Sequence, residues 1–321
     1  MLVTDIKRKL KNGKVITGYY MDRWLKENLD DIPPFLAKEW DCVGIVSGHG
    51  KVRIGKSTMA MQVCYYIAWI LAGGEVIANK KGEVQKVISP KRKVRFSLEE
   101  NVVFSAGALQ ETANALYKKY GKNQVILYDE GKQGLDSARA MENINKGMED
   151  FFQECGFMGH VIIICLPSFF KLHEDYAVAR SFFLIDVFHD KQYNRGYFNF
   201  FNERKKESLY FFGKKRIGTS AKYAATYENF WGRFYSWLPF DKKKYEEKKA
   251  EEINKKRARR REKNLMIQRD VLVWILHKSY KIPHREIQQE MKRVADFDIS
   301  LRLIQSCIQK INEVIAKSKG Y

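Results

Sequence analysis

The chain has 321 residues and five cysteines, Cys42, Cys64, Cys155, Cys165 and Cys307, none of them spaced as C-x-x-C. Their scatter through mostly apolar runs excludes a disulfide framework and a cysteine-based zinc site, and predicts reduced core thiols in a cytoplasmic setting. Six histidines are equally dispersed, so no metal-ligand spacing is present. No apolar run reaches the roughly 20 residues of a membrane span. The most apolar stretch, residues 59–72, is shorter and predicts a helix buried in a globular core. Residues 1–20 are charged and amphipathic, which predicts no secretory signal. Acids are the scarcer charge: 38 Asp and Glu against 58 Lys and Arg leave a net +20. A field of that sign draws phosphate backbones in a salt-sensitive, sequence-independent way, and attracts anionic membranes or acidic partners by the same means. The length predicts about two domains.

What is present is more specific. Residues 50–57 read Gly-Lys-Val-Arg-Ile-Gly-Lys-Ser, a full G-x-x-x-x-G-K-[ST] loop. An apolar run, residues 42–46, precedes it and the buried-helix pattern follows, the strand–loop–helix context that gives this motif its meaning. Gly50 and Gly55 permit the tight turn, so the backbone of Lys51, Val52, Arg53, Ile54 and Thr58 can face nucleotide phosphates beside the positive end of a helix dipole. Lys56 is placed to reach the β- and γ-phosphates and Ser57 to hold Mg²⁺. The expectation is an α/β P-loop NTPase with a mostly parallel central sheet, binding ATP or GTP.

Hydrolysis needs acids from a second strand. Gln124-Val125-Ile126-Leu127-Tyr128-Asp129-Glu130 fits a buried parallel strand with its acids at the carboxyl end, where open α/β sheets bind ligands. Asp129 is expected to hold the metal through water, and Glu130 to orient and polarise the attacking water. An Asp-Glu pair points to ATPases that carry their own catalytic acid. The guanine-reading Asn-Lys-x-Asp is absent from the sequence, which favours ATP. A third apolar strand, residues 161–166, leads to Pro167-Ser168, and Ser168 is placed to sense the γ-phosphate from the neighbouring strand.

Over residues 40–190 this order of a loop strand, an Asp-Glu strand, a strand ending in Pro-Ser, a short helix, an arginine and another apolar strand resembles the FtsK/HerA-type motor ATPases. Relatives of that group include viral DNA-packaging ATPases, conjugation pumps and zonular-occludens-toxin-like phage assembly proteins. Many relatives have glutamine on the sensor strand where this chain has Ser168. The resemblance implies a homo-oligomeric ring in which an arginine reaches a neighbour's nucleotide, with Arg180 and Arg139 as the candidates. For either one, an ordinary surface arginine is the alternative.

Four regions are expected: a lead-in at 1–40 with a helix over 22–28 and a break at Pro33-Pro34; an ATPase domain at 41–240; a basic stretch at 241–264; and a helical domain at 265–321. Residues 80–95 suggest an exposed basic loop or hairpin. Residues 193–217 alternate aromatic and polar groups around Arg204-Lys205-Lys206, which predicts two antiparallel strands joined by a charged turn, serving either as core or as a nucleic-acid surface. Residues 241–264 carry 12 Lys and Arg against 6 Asp and Glu, fitting a solvated helix or linker. The cluster at 255–261 can grip a phosphate backbone or be a solvated charge run. In the last region, helices over 267–279, from Pro283 through Met291, and from Ser300 resemble a helix-turn-helix presenting Arg302, Gln305, Gln309 and Lys310. A small helical bundle for oligomerisation or partner binding is the alternative. The combined expectation is an ATP-hydrolysing DNA motor, for translocation or packaging, of a virus or mobile element. Its rivals are an ATP-switched DNA-binding regulator or replication and partition factor, and a virion-assembly or export ATPase.

Overall fold

The computed structural model describes residues 1–9, 13, 15–48, 53–79, 81–129, 156–295 and 299–318. Two compact units are present, Met1–Lys249 and Ala250–Tyr321.

The first unit is α/β. It opens with an antiparallel hairpin, β1 (Leu2–Lys9) and β2 (Val15–Tyr20). Helix α1 (Arg23–Asp30) follows, capped by Asp22, whose carboxylate accepts from Trp24 and Leu25. Pro33 and Pro34 begin a second short helix, α2 (Ile32–Leu36), because proline suits a first turn where its missing N–H costs nothing. Tyr19, Met21, Leu25 and Leu29 pack into the same core as the central sheet.

That sheet has seven strands in the order β11 (Phe230–Arg233), β10 (Tyr197–Asn202), β9 (Phe183–Phe188), β3 (Cys42–Gly48), β8 (Val161–Cys165), β7 (Val125–Asp129) and β6 (Val102–Val103). Strand β3 (Cys42–Gly48) is buried along its whole length, and helix α3 (Lys56–Leu71) covers one face. An antiparallel hairpin, β4 (Glu75–Ala78) and β5 (Val84–Ile88), begins before the basic segment and places only β5 inside it. Then come α4 (Leu98–Asn101), β6 (Val102–Val103), α5 (Ala106–Tyr120), β7 (Val125–Asp129), β8 (Val161–Cys165) and β9 (Phe183–Phe188). β6, β7, β8, β3 and β9 are parallel, and their near-continuous apolar runs reflect burial on both faces. β10 (Tyr197–Asn202) and β11 (Phe230–Arg233) extend the sheet antiparallel.

Strand alternation divides the core. Val46, Leu127, Ile163 and Ile185 face α3, whereas Val43, Ile126, Ile162 and Leu184 face the other layer with α5. Cys42, Cys64, Cys165 and Cys307 are free and buried.

Two expectations fail: no break falls at Pro33-Pro34, which lie within the first turn of α2, and the aromatic segment after β10 is not a strand pair. Residues 203–214 are not the turn and second strand of a hairpin but a helix, α6 (Glu203–Lys214). Asn202 caps it by accepting from the Lys205 N–H at 3.1 Å, and Lys206, Leu209, Tyr210 and Gly213 are buried at helical spacing. The short helix α7 (Thr219–Tyr223) leads to β11. Next is α8 (Lys242–Lys278), one continuous helix of 37 residues that takes in the basic stretch.

The second unit is all-helical. Val273 of α8, Ile287 of α9 (His284–Ala295), Ile299, and Ile304, Cys307 and Ile308 of α10 (Leu301–Ser318) form its core. Ser300 caps α10, accepting from the Leu303 N–H at 3.2 Å. Arg302, Gln305, Gln309 and Lys310 are exposed on that helix. Among the described residues no helix is long and apolar enough to cross a membrane.

Candidate functional site

The carboxyl ends of β3, β8 and β7 meet the start of α3. Gly55 is the residue before that helix and holds φ at 104°, a conformation L side chains rarely adopt, with Phe234 only 3.0 Å from where a Cβ would lie. Gly48, at the end of β3, is equally constrained: a Cβ there would stand 2.3 Å from Ile54 Cδ1 and 2.9 Å from the Val187 carbonyl. Gly55 provides no side chain to cap α3, whose first N–H groups concentrate positive charge at this edge of the sheet.

The Ser57 hydroxyl donates to Asp129 Oδ1 at 3.0 Å, across 72 residues of sequence. Asp129 is 1% exposed. Its position follows from alternation, since Val125, Leu127 and Asp129 share the face toward α3. β8 lies between β3 and β7, with Cys165 in register beside Asp129. Burial lowers the Lys56 pKa, while the neighbouring Cys165, Asp129 and Asp186 act in the opposite direction. Burial also pushes the Cys165 thiol well up, reinforced by the charge of Asp129.

Two residues from α8 complete the surroundings of Asp129. The Tyr245 hydroxyl donates a short hydrogen bond to Oδ2, and the Lys249 ammonium donates to the same oxygen at 2.9 Å and to Tyr245 at 2.8 Å. Tyr245 is pushed far above its ordinary pKa, first by burial and then by the carboxylate beside it.

On the opposite face, Tyr223 ties two strand ends together. Its hydroxyl lies 3.2 Å from Ser47 Oγ, donates to the Gly48 carbonyl at 3.3 Å and accepts from the Phe169 N–H at 3.0 Å. It also bonds the Ser168 side chain. Ser168 is therefore held at the end of β8, facing the end of β3. Asp186 on β9 is fully buried, in register with Ser47, and its charge acts on both Tyr223 and Lys56.

Arg180 is placed differently. It precedes β9, is exposed, and lies near Asp41, just before β3 begins, where it draws that carboxyl down against the burial that raises it. It is thus at the opposite edge of the sheet from Ser57 and Asp129. Arg53 is exposed, Ile54 buried, and Lys56 and Thr58 partly buried in the first turn of α3. Gly50, Lys51, Val52, Glu130 and Arg139 lie outside the described residues.

Tyr223, Asp186, Tyr245 and Lys249 have no local motif in the sequence that would mark them. Among the described residues no group of three or more His, Cys, Asp or Glu could hold a metal. One hydroxyl and one carboxylate are a hard-oxygen pair suited to Mg²⁺, which keeps much of its water shell and needs few protein ligands. No protein-family model matches the chain, and no curated protein sequence is similar to it.

Proposed function

We propose that the chain is a cytoplasmic ATPase that drives translocation or packaging of DNA, as a homo-oligomeric ring belonging to a virus or mobile element. The observation that carries the reading is the Ser57–Asp129 contact: the last residue of the G-x-x-x-x-G-K-[ST] loop and the first acid of the Asp-Glu pair meet at 3.0 Å. Supporting it is β8, which brings a third strand end between them. Ligands of open α/β sheets bind at this carboxyl edge.

Each residue then has a role. The N–H groups opening α3 and the Lys56 ammonium receive the phosphates. Ser57 and Asp129 would hold Mg²⁺, which when bound would neutralise phosphate charge. Glu130 orients and polarises the attacking water. Ser168, fixed through Tyr223, reports the state of the site from β8. Arg180, exposed at the far edge, can serve only a neighbouring subunit's nucleotide. DNA as the cargo rests on the net +20 charge, the basic first half of α8 and the exposed polar face of α10.

The test is steady-state ATP hydrolysis with and without long nonspecific duplex DNA, with Glu130→Gln as control. Strong stimulation, absent in the variant, is expected. Hydrolysis indifferent to DNA contradicts the motor and favours an assembly or export ATPase. A second reading, an ATP-switched DNA-binding regulator, is favoured by the exposed Arg302, Gln305, Gln309 and Lys310; it requires tight binding to one sequence with slow turnover.

A further inference from the structure

The beginning of α8 is anchored at the nucleotide edge by three side chains. Tyr245 is 8% exposed and packs beside Phe104 and Phe240, with its hydroxyl on Asp129. Lys249, one turn later on the same helix face, joins it on Oδ2. Lys248 reaches outward to the carbonyls of Leu98 at 2.6 Å and Val102 at 3.1 Å. The preceding lysines behave otherwise: Lys242 and Lys243 are exposed and pair loosely with Glu246 and Glu247 at 3.7 and 3.9 Å.

The charge of Lys249 sets this arrangement against a cation at Asp129. A carboxylate offers about four lone-pair sites, and here Ser57 takes one on Oδ1 while Tyr245 and Lys249 share Oδ2. A buried carboxylate without a cation is costly, and Lys249 supplies that charge from within the chain. A divalent cation arriving at Ser57 and Asp129 brings its own charge and its own water donors to the same oxygens. The Lys249 ammonium then faces a like charge at close range, and the Tyr245 hydroxyl loses its acceptor.

We propose that Tyr245 and Lys249 form a counter-ion latch on Asp129 that holds the first turns of α8 and is displaced when Mg²⁺-nucleotide binds. The inference rests on the nucleotide-site reading above. It adds two residues to that site, and makes the order of residues 242–249 a function of its occupancy.

The experiment is hydrogen–deuterium exchange across residues 242–250 of the full chain, alone, with ATPγS in EDTA, and with Mg²⁺-ATPγS. Nucleotide affinity is measured in parallel for the wild type, Lys56→Ala and the double variant Tyr245→Phe, Lys249→Met. Faster exchange in 242–250 with Mg²⁺-ATPγS only, and Mg²⁺-dependent binding about tenfold tighter in the double variant, are expected. Binding that leaves exchange in 242–250 unchanged overturns the latch while the nucleotide site stands. Binding that is unchanged or weaker in a folded double variant also overturns it. Absence of nucleotide binding by the wild type overturns both the site and the latch.

Discussion

The hydroxyl of Tyr223 lies 3.2 Å from that of Ser47, joining two residues 176 positions apart at the carboxyl end of β3. The same hydroxyl accepts from the Phe169 N–H, so one phenol oxygen links the ends of β3 and β8. Tyr223→Phe keeps the ring and leaves Ser47 Oγ and the Phe169 N–H without this partner in a buried site. A loss of about 1–3 kcal/mol in unfolding free energy is expected, read from urea denaturation.

Lys206 gives a pH-dependent prediction. Its ammonium is buried and donates to the carbonyls of Ala177 and Val178 at 2.8 Å and to Ser181 Oγ at 2.7 Å, beneath the turn that carries Arg180. Burial lowers its pKa to about 8, against the opposing pull of Glu203 and Glu207. Below about 8 the side chain is charged in both the folded and unfolded states, and folding bears the full cost of burying the charge. Between about 8 and the ordinary lysine value of 10.5 the unfolded chain binds more protons, so the wild type gains stability as pH rises. Relative to Lys206→Met the gain is at most about 3 kcal/mol across that window. Denaturation midpoints of both proteins from pH 7 to 10.5 check it.

Lys56 is the most direct probe of nucleotide binding. Lys56→Ala removes the cation at the start of α3 and is expected to weaken Mg²⁺-ATP binding by about 30-fold or more, equivalent to about 2 kcal/mol. Fluorescent-nucleotide titration reads the affinity, and circular dichroism should be unchanged.

How far the sequence revealed this arrangement depended on how local each signal was. The strand before the glycine motif, the helix after it and the Asp129 strand were legible because each is a continuous local apolar pattern. The parallel core strands were legible as unbroken apolar runs. α6 was misread because the aromatic run at residues 209–212 resembles a strand when taken alone; the Asn202 cap and the buried Lys206–Leu209–Tyr210–Gly213 stripe decide for a helix. Tyr223, Tyr245, Lys249 and Asp186 were invisible, since each approaches the site from a segment well downstream of the loop and carries no motif. Burial of Lys206 was equally illegible: in sequence it belongs to a charged cluster.

The helical unit carries a separable prediction. Arg302 and Lys310 are exposed on α10, while Ile304 and Cys307 face its core. Arg302→Glu with Lys310→Glu is expected to weaken DNA binding and reduce the salt dependence by about two counter-ions, leaving ATP affinity unchanged. Filter binding at several salt concentrations reads both quantities.

The motor reading is tested most directly by displacement of a triplex-forming oligonucleotide from a long duplex. Displacement that requires ATP, fails with ATPγS and fails in Glu130→Gln is the expected result. ATP turnover at full rate with the third strand left in place would contradict it.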